Sequence, residues 1–182
     1  IETEGKLDTN GHAICKNKPR GIRTANPFKS KLFHVYAFKK CGEGTYISGS
    51  LQDITPLCNQ TGNNEEFQIE VNAGKELAGY DIYILSEVFY DHPCLFSDYT
   101  IDSYTQLLKS YADIPFKGFG LDEFGYMGVK PAWILEPEKE VLRIRHYSPA
   151  MKQQYHDSYN RDLDNDLFHM RYSPQGDDSE RI

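Results

Sequence analysis

Hydrophobic and polar positions alternate along the chain with a period that predicts several strands. The run LFHVYAF at 32–38 is rich in residues that favour strands. The segment FQIEV at 67–71 alternates apolar and polar residues, as a half-exposed strand does. Between them, a glycine-rich turn, CGEGT, precedes YISGSLQDITPL, a further strand candidate. Residues 32–79 are therefore predicted to form a strand followed by an excursion of β-hairpins.

A helical period appears in two later parts of the chain. Ser97 or Asp98 can cap a helix whose apolar residues recur at helical spacing, namely Ile101, Tyr104, Leu107, Leu108 and Tyr111. Ser148 is a good cap and Pro149 a good first residue for a second helix. This helix is predicted to break near Asn160 and to resume through DNDLFHM. Residues 1–30 are polar and basic, with Gly, Asn and Pro, and are predicted to be mostly loop.

The segment YDIYILSEVF at 80–89 is almost continuously apolar, as expected for a strand covered on both faces. A helix and then FKGFGLDE at 116–123, a second apolar strand, follow it. This order predicts a βαβ unit with parallel strands and a right-handed crossover. The predicted fold class is therefore α/β, a partial (β/α)8 TIM-barrel segment with an inserted antiparallel β-hairpin region. We divide the chain into a loop-rich segment (1–31), the strand and hairpin excursion (32–79) and a barrel segment with following helices (80–182), and we expect these to be parts of one incomplete catalytic domain.

Composition narrows the class of protein. The chain has 182 residues, of which 39% are hydrophobic and 26% charged, as in a folded globular domain. The net charge is −7 without a basic stripe, so nucleic acid is not an expected partner. No apolar run approaches the roughly 18 residues of a membrane span. Because the chain begins at Ile1, we expect it to be a piece of a longer protein.

Metal and cofactor motifs are not found in the sequence. The four cysteines form no CxxC pair, which leaves open two disulfides or four reduced thiols. Asp162, Asp164 and Asp166 alternate as in a calcium loop, but Leu167 follows where an EF-hand requires glycine, so helix capping explains these acids better. The histidines have no HExxH spacing, and no phosphate-binding loop occurs. We expect no cofactor, and the compartment is not indicated.

The strongest chemical signal is the adjacent pair Asp122 and Glu123 at the end of an apolar strand. Burying unpaired acids costs several kcal/mol, so a sequence that places them there usually uses at least one. Side chains alternate along a strand, so the two point to opposite sides. This predicts that Glu123 faces the substrate and that Asp122 supports it. The alternative is that both acids only cap or salt-bridge the strand end.

Further candidates for substrate binding surround this pair. Glu87 lies near the end of the preceding strand, where it could bind a sugar, bind a metal, serve as the second catalytic group or pair with a Lys or Arg. Tyr90 and Asp91 begin the next loop and could bind hydroxyl groups. Tyr126 and Trp133 could stack on sugar rings, and 13% of the chain is aromatic, although aromatic residues also fill cores.

The segment GFGLDEFGYM resembles the acid-bearing strand of (β/α)8-barrel glycoside hydrolases, in which an Asn-Glu or Asp-Glu pair ends a strand. The order of elements over 32–172, including YSPAMKQQYHDSYNRDLDNDL, is similar to bacterial α-L-rhamnosidase-like barrels. The residues Phe124-Gly125 are closer to β-galactosidase-like barrels. The resemblance implies that Glu123 is the general acid (or acid/base), with Asp122 beside it. It also implies a carbohydrate substrate and a second carboxylate in the remainder of the barrel, outside this chain.

Three functions follow from these residues. The first is hydrolysis of glycosidic bonds by a fragment that needs the rest of its barrel. The second is a carbohydrate-binding module that catalyses nothing, in which Tyr126 and Trp133 matter and Glu123 does not. The third is a metal-dependent hydrolase that uses Glu87, Asp91 and the acid pair.

Overall fold

The computed structural model describes residues 1–17, 27–89, 94, 96–115, 117–118 and 146–176. The strands in these residues are β1 (Glu2–Lys6), β2 (His12–Asn17), β3 (Lys29–Phe38), β4 (Lys40–Gly42), β5 (Thr45–Tyr46), β6 (Gln52–Asp53), β7 (Cys58–Gly62), β8 (Phe67–Asn72), β9 (Asp81–Phe89) and β10 (Ser173–Pro174). The α-helices are α1 (Asp98–Lys109), α2 (Pro149–Tyr159) and α3 (Leu163–Asp166). Short 3-10 helices span Thr55–Leu57 and Lys75–Leu77. Within these residues, none of the helices has the length and apolar character that crossing a bilayer requires.

Two antiparallel sheets pack face to face to form a sandwich. The larger sheet has the strand order β1-β9-β3-β6, and the smaller has the order β2-β8-β7. One apolar cluster fills the space between them, and its strand residues include Val35, Ala37, Ile69, Val71, Ile82 and Ile84. Each of these six side chains is fully buried. The sandwich core therefore comes from alternate positions of strands β3, β8 and β9.

The local patterns explain which faces are buried. In β8, Phe67, Ile69 and Val71 are buried, while Gln68 and Glu70 are only half-buried, which confirms the predicted alternation. In β9, the run Ile82–Ser86 is buried without interruption, as predicted for a strand covered on both sides.

The outer face of the larger sheet is covered by the end of the chain. Phe168 and Tyr172 pack there against Tyr36, Phe38 and Tyr83 in a second core cluster, which is largely aromatic. The ring centroids of Phe168 and Tyr36 are 5.2 Å apart, and those of Tyr172 and Phe38 are 4.6 Å apart. A small sheet in the order β10-β5-β4 adjoins this layer, with β10 parallel to β5. Residues 146–176 thus form a third layer on the sandwich.

The predicted helix ends are confirmed. The Ser148 hydroxyl accepts a hydrogen bond from the Met151 N–H (3.1 Å), so Ser148 caps α2, and Pro149 is the first helical residue. Asn160 ends α2 in the left-handed conformation, with a φ of 52°. Asp162 caps α3 by accepting from the Asp164 N–H (3.0 Å), so the predicted capping role is confirmed for this acid. Asp164 and Asp166 instead accept hydrogen bonds from side chains: Asp164 from Tyr147 and Lys152, and Asp166 from Tyr155 and Arg161. Helix α1 begins at Asp98, directly after Ser97, but the Ser97 side chain makes no capping hydrogen bond.

The predicted fold class is wrong. Strand β9 pairs antiparallel with both β1 and β3, and helices do not alternate with strands as a (β/α)8 barrel requires. The described residues form mostly antiparallel sheets with three short helices and no closed barrel, so the resemblance to (β/α)8-barrel glycoside hydrolases, α-L-rhamnosidase-like or β-galactosidase-like, is also wrong. Because the TIM-barrel prediction is wrong, it no longer supports a glycosidase function.

The error has a physical cause. A continuous apolar run shows that both faces of a strand are covered, but not what covers them. Here the second sheet covers one face of β9 and residues 163–172 help to cover the other. Residues 1–30 also differ from the predicted loop, because β1 and β2 lie there and β1 pairs with β9.

Candidate functional site

A polar cluster lies near the carboxyl end of β9. Glu87 of β9 faces Lys31 of β3 across the antiparallel pair, and the Lys31 Nζ atom is 2.5 Å from the Glu87 Oε2 atom. The Glu87 side chain is only 14% exposed, whereas that of Lys31 is 49% exposed. Directly opposed residues of opposite charge stabilise an antiparallel pair. Of the roles predicted for Glu87, the structure bears out the ion pair with a lysine.

Tyr147 adds a phenol to this end of the sheet. Its hydroxyl donates a hydrogen bond to the Asp164 Oδ1 atom (2.6 Å), and its ring centroid is 5.3 Å from that of Phe33. Burial raises the pKa of the Tyr147 phenol, and the negative charges of Asp164 and Glu87 raise this pKa further. The phenol therefore stays neutral at physiological pH and acts as a hydrogen-bond donor.

Lys152, in the first turn of α2, joins two carboxylates of the same region. Its Nζ atom lies 2.5 Å from Asp164 Oδ2 and 3.2 Å from Asp162 Oδ1. Hydrogen bonds to these two carboxylates raise the pKa of Lys152, so its ammonium group stays charged. We call Lys31, Glu87, Tyr147, Lys152, Asp162 and Asp164 the Tyr147 cluster. Its two ammonium groups and three carboxylates carry a net charge of −1.

A row of rings borders the cluster on the outer face of β3. The ring centroids of Phe33 and His34 are 4.4 Å apart, and those of His34 and Tyr36 are 5.5 Å apart. The His34 Nδ1 atom lies 3.3 Å from an oxygen of Asp53. Phe33 and Tyr147 are both half-buried, so their rings are partly accessible beside the charged groups.

This arrangement limits the possible chemistry. A phenol with a raised pKa is a poor nucleophile, because attack requires the phenolate. Each carboxylate of the cluster contacts a lysine ammonium, so a divalent cation would have to displace that lysine. The described residues contain no group of three or more His, Cys, Asp or Glu side chains that could hold a metal ion. What the cluster offers is hydrogen-bond donors and acceptors at a half-buried surface.

Comparisons with known proteins add nothing to this picture. No family model, curated protein or solved structure matches this chain.

The structure describes one of the residues predicted to form the site. Glu87 belongs to the Tyr147 cluster. Predictions for six others concern positions outside the described residues, so their roles stay predictions: Tyr90, Asp91, Asp122, Glu123, Tyr126 and Trp133.

The sequence did not indicate five members of the cluster as site residues: Lys31, Tyr147, Lys152, Asp162 and Asp164. Pairing β3 with β9 in antiparallel register would have placed Lys31 opposite Glu87. The alternating acids Asp162 and Asp164 indicate only helix capping in the sequence. Lys152 lies ten residues before Asp162, so no local pattern connects the two. Tyr147 carries no signal in the sequence, because only tertiary packing places it beside Phe33 and Asp164.

Proposed function

We propose that this chain binds carbohydrate at the Tyr147 cluster without hydrolysing it. The observation that supports this proposal is a neutral phenol placed among lysine-paired carboxylates and beside the Phe33 ring. Sugar recognition requires polar groups that donate to and accept from neighbouring hydroxyls, together with an apolar surface for the ring face. Two-sheet sandwiches have many different functions, so this fold is compatible with the proposal but is not evidence for it.

The polar groups match the chemistry of vicinal hydroxyls. A carboxylate accepts from two hydroxyl hydrogens, and a lysine ammonium donates to the hydroxyl oxygens. Lys31 and Lys152 are 49% and 38% exposed, so each can contact a ligand while it remains near its carboxylate. Each hydrogen bond contributes about 1 kcal/mol net to binding. A few such bonds to a small sugar therefore correspond to a dissociation constant above about 1 μM.

Binding fits the cluster better than hydrolysis does. A glycosidase needs a carboxylic acid that is protonated at working pH and can donate to the leaving oxygen. The N–H of Asp164 and the ammonium of Lys152 lower the pKa of Asp162, which keeps that carboxyl ionised. Glu87 contacts the ammonium of Lys31, and Asp164 contacts that of Lys152. The general-acid role of Glu123 stays a separate prediction on a residue outside those described.

A glycan array followed by calorimetry on the chain tests the proposal. We expect binding to at least one class of soluble oligosaccharide. Tyr147→Phe keeps the ring but removes the hydroxyl, and Glu87→Gln keeps the size but removes the charge. Each should weaken binding by about five- to tenfold, which corresponds to roughly 1 kcal/mol. Glu70→Gln is the matched control, because Glu70 is a half-buried acid near His12 on the smaller sheet.

The possible outcomes separate binding from catalysis. Binding that survives Glu123→Gln, with no release of reducing sugar, supports a binding module. Release of sugar that Glu123→Gln abolishes would overturn the binding-only proposal in favour of hydrolysis. Failure of every oligosaccharide to bind, or equal effects of Glu87→Gln and Glu70→Gln, would remove the Tyr147 cluster as a carbohydrate site.

A further inference from the structure

A second group of side chains, apart from the Tyr147 cluster, surrounds the thiol of Cys94. The Cys94 Sγ atom is 3.0 Å from the Ser148 Oγ atom and 3.8 Å from the His146 Nε2 atom. All three residues are half-buried, so the sulfur is not sealed in the core. Cys94 lies shortly before α1, and residues 146–148 lead into α2. A thiol, an imidazole and a hydroxyl therefore come together at the starts of two helices.

The backbone holds Cys94 firmly in this place. Its carbonyl oxygen accepts hydrogen bonds from the Ser97 N–H (3.1 Å) and from the Thr100 hydroxyl (2.7 Å). Thr100 is the one buried residue of α1. These two bonds fix the position of the sulfur relative to α1.

The imidazole of His146 is suited to accept a proton. Its ring packs on Phe96 with centroids 5.5 Å apart. Burial lowers the pKa of His146, so the ring is neutral near pH 7 and has a free nitrogen lone pair. A thiol becomes an effective nucleophile only when it loses its proton, and a neighbouring imidazole is a common acceptor in proteins.

Ser148 can stabilise the sulfur after that proton leaves. In the structure its oxygen accepts from the Cys94 thiol and from the Met151 N–H, and once the thiol has lost its proton the Ser148 hydroxyl hydrogen can donate to the sulfur. The amino-terminal end of a helix such as α2 also carries a partial positive charge, which favours a nearby anion.

The other three cysteines have different surroundings. Burial raises the pKa of the Cys15 thiol, and burial with nearby negative charge raises the pKa of Cys58 to about 12. Both of these thiols belong to the sandwich core. Cys41 is exposed, and its sulfur lies 3.7 Å from the Thr45 hydroxyl. Cys41 therefore serves as an accessible reference thiol.

We propose that Cys94 and His146 form a thiol–imidazole pair that makes Cys94 a site of reversible modification by small disulfides such as glutathione disulfide. The Sγ proton passes to His146 Nε2, and the Cys94 sulfur attacks one sulfur of the disulfide. The bond between the two disulfide sulfurs breaks as the new bond to Cys94 forms. The second sulfur leaves with the electron pair and takes the proton from His146, so one mixed disulfide and one free thiol result.

The test is a time course of the chain with glutathione disulfide at pH 7.4, read at each cysteine by peptide mass spectrometry. We expect Cys94 to be modified about tenfold faster than Cys41. His146→Gln should lower the Cys94 rate to about that of Cys41, whereas His156→Gln should leave it unchanged. His156 is the matched control because it is an exposed histidine on α2 whose ring lies beside Asp157.

Two results would overturn the proposal. The first is a Cys94 rate in the unaltered chain no greater than that of Cys41, a comparison that needs no variant. The second is a fast Cys94 rate that His146→Gln does not change, which would show that the imidazole has no part in it. The buried Cys15 reports on folding in the same experiment, because it stays unmodified only while the sandwich is intact.

Discussion

The hydroxyl of Tyr147 donates a 2.6 Å hydrogen bond to the Asp164 Oδ1 atom, and this bond joins the start of α2 to α3. Lys152 binds the other oxygen of the same carboxylate. Asp164 therefore accepts from a phenol just before α2 and from an ammonium group within α2. The proposed carbohydrate site and the third layer of the fold share these contacts. The effect of a Tyr147 variant on sugar binding must therefore be separated from its effect on stability.

Tyr147→Phe should leave the fold unchanged and lower the free energy of unfolding by about 1 kcal/mol, the usual net value of one hydrogen bond. Urea denaturation measures this change. Tyr159→Phe is the control, because Tyr159 is 66% exposed, and it should have no measurable effect. A loss of several kcal/mol in Tyr147→Phe would contradict the prediction and would mean that weaker sugar binding in this variant reflects unfolding.

Phe168→Ala should destabilise the chain by about 3–5 kcal/mol, because it empties the centre of the aromatic cluster between the larger sheet and the third layer. Phe168 is 1% exposed and contacts Tyr36, Phe38 and Tyr172. Tyr99→Ala on α1 removes a ring that is 78% exposed and should cost little. Equal denaturation midpoints for the two variants would show that residues 163–172 do not pack on the sheet.

Acid should destabilise the chain partly through Asp53. Burial disfavours the charged form of Asp53, but hydrogen bonds from the Thr55 hydroxyl and N–H, with the nearby His34, outweigh burial and lower the pKa of Asp53. A carboxyl whose pKa is lower in the folded than in the unfolded chain contributes stability above the unfolded value of about 4. That contribution is lost as the pH falls below about 4 through the folded pKa.

Asp53→Asn keeps an oxygen that can accept from Thr55 but removes the ionisation. The variant should be less stable than the unaltered chain at pH 6, and the difference should shrink at pH 3. Chemical denaturation at the two pH values measures it. A difference that stays constant between them would show that the Asp53 charge makes no contribution.

Gly11→Ala should strongly destabilise the turn between β1 and β2. Gly11 has a φ of +75°, and an added Cβ would lie 1.8 Å from the carbonyl oxygen of Gly74, so the backbone would have to move. Gly49→Ala is the matched control, because Gly49 has a φ of +78° with nothing within 4 Å of the added atom. The control should lose only the cost of about 1–2 kcal/mol for the left-handed conformation. Thermal unfolding should show a clearly larger loss for Gly11→Ala.

Several elements could be predicted from the sequence because their signals are local. Alternation in FQIEV determines which residues of β8 enter the core. The start of α2 depends on Ser148 and Pro149, which are neighbours in the sequence. Its end depends on Asn160, which takes the left-handed conformation. The same holds for Asp162, whose side chain binds the N–H two residues later.

The sequence by itself determined strand β8, the ends of α2, the Asp162 cap and the burial of Ile82–Ser86 in β9. Only the tertiary structure decided that β9 pairs antiparallel with β1 and β3, that Lys31 faces Glu87, and that His146 reaches Cys94. The physical reason is distance along the chain. Alternation and capping act over a few residues, whereas the contact between Cys94 and His146 joins residues 52 positions apart. An apolar run records that a strand is covered on both faces, and the partners that cover it are settled when the whole chain packs.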